Sequence, residues 1–257
     1  MKIVVTYQWA PDPKDASVNS DGSIDFSRAK PAISDFDAVA IEVGRAVADA
    51  TGAGLIGVSV GGAEAAASVA TKAALSRGLD EALVVSDPAL ASSGTLGVAQ
   101  AIAGAVRDLG DVALVIVGDS SIDTGARLTG TVVAGLLGWP SVTDAMKLTP
   151  GAEWAIERLL NEGVQTLSVA GPAVVAVTSD AAKLKAPGMK DILAAGKKPV
   201  TVKSLADVGV TLADQGTLRS TAKLTGPARK QVVINTADPA AAAAELVAAL
   251  RAADVLS

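Results

Sequence analysis

Residues 112–137, VALVIVGDSSIDTGARLTGTVVAGLL, carry three patterns in succession. Val112 to Val117 form an apolar run rich in β-branched residues, and it stops at Gly118. A small polar loop follows, Asp119-Ser120-Ser121-Ile122-Asp123-Thr124-Gly125. Apolar residues then return at Leu128, Val132, Val133, Leu136 and Leu137, which is helical spacing. A strand, a Ser/Thr/Gly loop and a helix start make a seat for a phosphate. Free backbone N–H groups and the positive end of the helix dipole face the same point.

The same alternation extends outward in both directions. Lys2 to Tyr7 reads as a strand, and Ser17 to Phe26 as a small hairpin turning at Asp21-Gly22. Ser34 can cap a helix over Asp35–Thr51, whose Phe36, Val39, Ala40, Val43, Ala46 and Val47 form one stripe; Gly52-Ala53-Gly54 ends it. Leu55 to Val60 is a strand, and Gly61-Gly62 opens a helix to Arg77, closed by Gly78. Ala82 to Val85 is a strand, and Gly94 to Leu109 a helix. The helix after Val112–Val117 ends near Gly138-Trp139-Pro140. Four βα units in a row imply an α/β fold with a parallel sheet covered on both faces. Ligands of such sheets bind at the carboxyl ends of the strands, where the strand order reverses.

Beyond Pro140 the pattern changes. Val142–Leu148, Trp154–Leu160 and Gln165–Val169 look antiparallel, and Ala173–Val177 reads as a buried strand. Residues 180–199 form a basic loop with one helical turn at Met189–Leu193. After Pro199 the chain loosens until a last helix, Pro239–Leu250, with proline in its first turn. A boundary is expected near residue 200, between a body over 1–200 and a C-terminal arm over 201–257.

The chain has 257 residues, half of them apolar, with a net charge of −5 and only 2% aromatic residues. That suffices for a sizeable core of Ala, Val, Leu and Ile. Lysine and arginine are spread out, so nucleic acid is not expected as a partner. There is no cysteine and no histidine. Thiol catalysis, disulfides, Cys/His metal sites and imidazole acid–base chemistry are thereby removed, and no metal site is expected. The start MKIVVTYQW lacks the apolar length of a signal peptide, and no stretch approaches the roughly 20 apolar residues of a membrane span. The expectation is a cytoplasmic chain without direct membrane insertion.

An ordered set of segments resembles the β subunit of electron transfer flavoproteins, and most closely the FixA-type branch. It begins with Met1-Lys2-Ile3, Pro11-Asp12, Val18-Asn19, Asp21-Gly22-Ser23 and Asp25-Phe26-Ser27. It continues through Ile33-Ser34, Asp37, Ala40-Ile41-Glu42, Ser59-Val60-Gly61-Gly62, Leu75-Ser76-Arg77-Gly78 and Glu157-Arg158. Pro172 to Val177 and Pro187 through Lys190 to Val200 complete it. The resemblance implies an adenine-nucleotide-binding α/β domain, Rossmann-like and of the α-hydrolase type, with a C-terminal arm that packs on the partner α subunit. It implies a heterodimer in which that α subunit holds the redox-active FAD while the β subunit carries AMP. Such a subunit is an electron carrier without catalytic residues of its own. It takes electrons from a flavin-dependent dehydrogenase toward a quinone oxidoreductase or a ferredoxin-like acceptor.

The resemblance also implies site residues. The AMP-phosphate segment corresponds to Gly118, Asp119, Ser120, Ser121, Ile122, Asp123, Thr124, Gly125, Ala126, Arg127, Leu128 and Thr129. Leu128 stands where the family has glutamine. Thr6, Val60 and the segment Ser34, Asp35, Phe36 and Asp37 correspond to further nucleotide contacts, although Ser34 is equally a helix N-cap. Phe36 matches an aromatic that packs against the flavin. Lys185, Pro187, Met189, Ile192 and Leu193 fall in the loop that grips the dehydrogenase, with methionine as its adaptable anchor. The glycines at 61 and 62 are followed by Ala63-Glu64-Ala65 rather than Asp-Ser, which speaks against ATP hydrolysis. Two other readings stay open: a bifurcating electron transfer flavoprotein with FAD in the β subunit, and a stand-alone nucleotide-binding sensor of the stress type.

Overall fold

Strand β1 (Lys2–Thr6) lies in the interior of the main sheet, with Ile3, Val4 and Val5 wholly enclosed. In the computed structural model, residues 1–123, 125–213, 226 and 229–256 are described. After β1 come β2 (Trp9–Pro11), the hairpin strands β3 (Ser17–Val18) and β4 (Ile24–Asp25), and β5 (Pro31–Ile33), which pairs with β2. The hairpin turns where expected, with Gly22 at φ +85°, a conformation glycine adopts freely.

Helix α1 (Asp35–Thr51) begins because the Ser34 hydroxyl accepts the Phe36 N–H at 3.3 Å, and it ends in the left-handed Gly52. Gly44 sets how closely it rests on the sheet. A Cβ there would lie 2.5 Å from Val5 Cγ2 and 3.0 Å from Leu55 Cδ1. The chain continues through β6 (Gly54–Gly61), α2 (Ser68–Leu75), β7 (Glu81–Ser86), α3 (Thr95–Leu109), β8 (Val112–Gly118) and α4 (Thr129–Leu137). Then follow β9 (Ser141–Thr149), β10 (Trp154–Leu160), β11 (Gly163–Val169), β12 (Ala173–Val177), α5 (Met189–Ala195), β13 (Val200–Lys203) and α6 (Pro239–Ala252).

Nine strands form one sheet in the order β11-β10-β9-β12-β8-β1-β6-β7-β13. The run β12-β8-β1-β6-β7 is parallel throughout, whereas β9, β10 and β11 form an antiparallel meander. Strand alternation divides the core into two layers. Ile3, Val5, Leu55, Leu114 and Ile116 face one core with α1, while Val4, Val58, Val115 and Val117 face the other with Ile102, Val106 and Val133 of α3 and α4. From β1 the chain builds outward through β6 and β7, then crosses to the opposite side through β8 and β12. The reversal leaves a crevice between the carboxyl ends of β1 and β8.

Three local features differ from the sequence reading. The helix expected from Gly61-Gly62 to Arg77 is split into a 3₁₀ turn at Ala63–Ala66 and α2, separated by the extended Ala67. Gly62 has no capping side chain. Glu64 folds back to accept the Gly62 N–H at 3.2 Å, which tightens the first turn. The helix then restarts with Ala70, Ala74 and Leu75 in the core. The turn at Met189–Leu193 continues to Ala195, whose methyl group is buried against the α1 side of the sheet. Finally, β13 adds in parallel to β7, so the sheet extends beyond residue 200. The chain divides into two compact units, Met1–Thr221 and Ala222–Ser257, later than the boundary expected near 200. The second unit contains α6, capped by Asp238 and with no buried residue. No described helix is long and apolar enough to cross a membrane.

Candidate functional site

The crest of β8 brings the first turn of α1 down onto the strand end. A Cβ on Gly118 would sit 2.9 Å from the Phe36 carbonyl carbon and 3.0 Å from Asp37 Oδ1. Only a residue without a side chain allows that approach. The Asp119 N–H donates to the Val177 carbonyl at 3.0 Å, so the chain leaves the sheet in register with β12. A cleft of ≈ 500 Å³ opens at this point. Its floor is the end of β1 (Thr6, Tyr7, Gln8) and of β6 (Val58, Val60), and the loop after β8 forms one wall.

Two helix starts meet the cleft. Leu128 to Thr131 of α4 and Gly94 and Thr95 of α3 line it, and neither helix has a side-chain cap. Their first N–H groups are donors without intrahelical partners, at the positive ends of two dipoles. The side chains carry the opposite sign. Among the described residues, Asp37, Asp119, Asp123 and Asp144 line the cleft with one cation, Arg127. Arg127 Nη2 donates to Asp119 Oδ2 and, at 3.1 Å, to Asp144 Oδ1. Arg127 (φ +55°) and Asp144 (φ +57°) both sit in the left-handed region, an uncommon conformation for such residues, so this pairing is held by local backbone shape.

Gln8 ties two of the acids together. Its N–H donates to Asp37 Oδ2 at 2.9 Å, and its Nε2 donates to Asp123 Oδ2 at 2.8 Å. Burial pushes the Asp37 carboxyl up to about 7; the Gln8 N–H acts against the shift and the Asp123 charge adds to it. Two buried polar atoms of the cleft residues have no hydrogen-bond partner, Asp119 Oδ1 and the Tyr7 hydroxyl. Burial also pushes the Tyr7 hydroxyl above its ordinary range.

Of the residues expected at a nucleotide site, Thr6, Asp37, Val60, Gly118, Asp119, Ser120, Ser121, Asp123, Ala126, Arg127, Leu128 and Thr129 line this one cleft. Ser34, Asp35, Phe36, Ile122 and Gly125 do not line it. Ser34 is enclosed and spends its hydroxyl on the α1 cap. Phe36 is partly buried, with its backbone against Gly118. Thr124 lies outside the described residues. Tyr7, Gln8, Ser93-Gly94-Thr95, Thr143 and Asp144 also line the cleft without having been expected there. A small Ser-Gly-Thr run at a helix start is the same signal as the 118–130 loop, and it marks the α3 contribution. Nothing in the sequence marks Asp144, which reaches the site through the register shift of β9 against β12.

The expected partner loop lies elsewhere. Met189 is 73% and Leu193 68% exposed. Pro187 and Ile192 line a second, apolar groove of ≈ 640 Å³ with Trp9, Ile33, Val69 and Ala73. The loop is fastened at both ends. The Lys185 N–H donates to Glu42 Oε1 at 3.4 Å, and Lys198 Nζ donates to the carbonyls of Leu75 (3.0 Å) and Leu79. In the meander, Glu157 pairs with Lys147 and Arg158 donates to Gln165, both across neighbouring strands.

A family model for the electron transfer flavoprotein domain matches residues 22–208. The chain belongs to the electron transfer flavoprotein family. Membership points to an electron carrier, to association with flavin and AMP, and to a heterodimer with a partner electron transfer flavoprotein subunit. The matched span includes Asp37, the 118–131 wall and the Lys185–Leu193 loop, whereas Thr6, Tyr7 and Gln8 precede it. The cleft of this electron transfer flavoprotein chain has the donors for a mononucleotide. Loop and helix N–H groups suit a phosphate, and the unpartnered Asp119 Oδ1 suits a hydroxyl or amine.

Proposed function

We propose that this chain is the β subunit of a heterodimeric electron transfer flavoprotein of the FixA type, and that AMP occupies the β1–β8 cleft. The observation that carries the reading is the convergence of β1, the 118–130 loop and two uncapped helix starts on one crevice, largely within the matched domain. The FAD, held mainly by the α subunit, supplies the redox chemistry when bound. This chain's own residues position and shield. Thr6, Val60 and the loop from Gly118 to Thr129 hold the nucleotide, with Ser34 to Asp37 as the turn behind it and Phe36 on the side offered to the flavin. Exposed Met189, Ile192 and Leu193, flanked by Lys185 and Pro187, dock a flavin-dependent dehydrogenase. Pinning of the loop by Glu42 and Lys198 limits the entropy lost on docking. The arm containing α6 packs on the α subunit. Electrons pass onward to a quinone oxidoreductase or a ferredoxin-like acceptor, in the cytoplasm or at the membrane surface.

Co-expression with the flavin-bearing subunit, followed by heat release and mass spectrometry of the bound small molecules, tests this. A yellow heterodimer with one FAD and one AMP is the expected result. Two flavins per heterodimer would instead assign FAD to this cleft and a bifurcating role. A colourless homodimer that responds to ATP would make the chain a stand-alone sensor.

A further inference from the structure

The cleft faces an anionic ligand with more carboxylates than cations. Among the described residues Asp37, Asp119, Asp123 and Asp144 line it with one cation, Arg127, and that guanidinium is already engaged by Asp119 and Asp144. Asp119 has a side chain only 9% exposed, and its Oδ1 has no partner. A nucleotide phosphate brings further negative charge into this space. The helix starts offset part of it, but they neutralise no carboxylate.

One acid is placed to relieve the conflict. Asp37 is 8% exposed at the base of α1, and its Oδ2 receives only a neutral donor, the Gln8 N–H. The polar groups that line the cleft with it are Tyr7 and Gln8 just after β1, Asp119 and Asp123 from the loop after β8, Arg127 from the approach to α4, and Asp144 from β9. On its own helix the neighbouring acid, Asp35, is exposed. The cation in this set spends its Nη2 on Asp119 and Asp144, and among the described residues no guanidinium or ammonium pairs with Asp37. A proton on Asp37 therefore removes one of the four cleft charges without breaking an ion pair.

We propose that the cleft takes up a proton together with an anionic nucleotide, and that Asp37 holds it. The inference rests on the reading of the cleft as an AMP-class site and adds a charge rule to it: the nucleotide enters as an anion–proton pair. Adenosine, which has no phosphate, has no such requirement.

Calorimetric titration of the full-length, nucleotide-free chain tests this, with AMP and with adenosine, in HEPES and in Tris, whose protonation heats differ. Working above pH 7 keeps the second phosphate ionisation of AMP, near pH 6, out of the measurement. The expected result is a buffer-dependent heat that reports proton uptake with AMP. The AMP affinity should fall by up to about tenfold per pH unit above pH 7, while adenosine shows a flat profile. Asp37→Asn should bind AMP without proton uptake and without the pH slope. The proposal is overturned if wild-type AMP binding takes up no proton between pH 7 and 8.5, or if folded Asp37→Asn takes up as much. It is also overturned if adenosine binds and AMP does not at any pH, which would keep the cleft as a nucleoside site. Should the variant melt abnormally, the wild-type buffer comparison decides alone. If neither compound binds at any pH, the AMP reading itself fails and the proton rule goes with it.

Discussion

Asp37 concentrates the tension between burial and charge in a single carboxyl. Its folded-state value near 7 lies above the ordinary 3.8, so the native chain binds a proton that the unfolded chain has released at intermediate pH. Between about pH 4 and pH 7 stability therefore falls as pH rises, and above 7 the whole penalty is present. Asp37→Asn keeps an acceptor for the Gln8 N–H and removes the charge. Its melting temperature should exceed that of the wild type at pH 8 and match it near pH 4, as a pair of thermal scans would show. Gly118 is the steric counterpart. Gly118→Ala forces its Cβ onto the Phe36 backbone, and an expected loss of about 1–3 kcal/mol should appear in the urea midpoint, with weaker AMP binding. The Tyr7 hydroxyl is buried without a partner, so Tyr7→Phe should leave stability unchanged or raise it by up to about 1 kcal/mol.

At the scale of elements, helix α1 aims the site. It is capped by Ser34, stopped by Gly52 and seated through Gly44, and its first turn delivers Asp37 to the crest of β8. Ser34→Ala should cost about 1 kcal/mol in chemical denaturation, the usual value of an N-cap hydroxyl. Helix α5 is the opposite kind of element. Ala195 anchors it, and its outer residues face away from the core. Met189→Asp should leave the melting temperature within about 1 °C of wild type, because an exposed side chain contributes little to folding. The same change should slow reduction of the assembled flavoprotein by its dehydrogenase, which stopped-flow absorbance would report.

At the scale of the molecule, helix α6 has no buried residue of its own, and the body carries both core layers. Much of that body was legible from local pattern. Unbroken apolar runs marked the central strands, period-3.6 stripes marked α1 and α4, and the 118–130 loop marked the cleft. One of the missing pieces is local and two are not. The split before α2 follows from Glu64 folding back on Gly62. β13, Val-Thr-Val-Lys, has strand composition but is only four residues long, and it is fixed as a strand by pairing along the edge of β7. Asp144 enters the site through a register shift that no neighbouring residue announces. By itself the sequence determined the α/β class, the central strands and the family, because alternation, capping and glycine placement act over a few residues each. Only the tertiary structure decided that four carboxylates gather in the cleft, that Arg127 pairs with two of them and that Asp37 is desolvated. Burial and Coulomb interaction are set by distances between segments far apart in the chain, and these exist only once the strands have crossed.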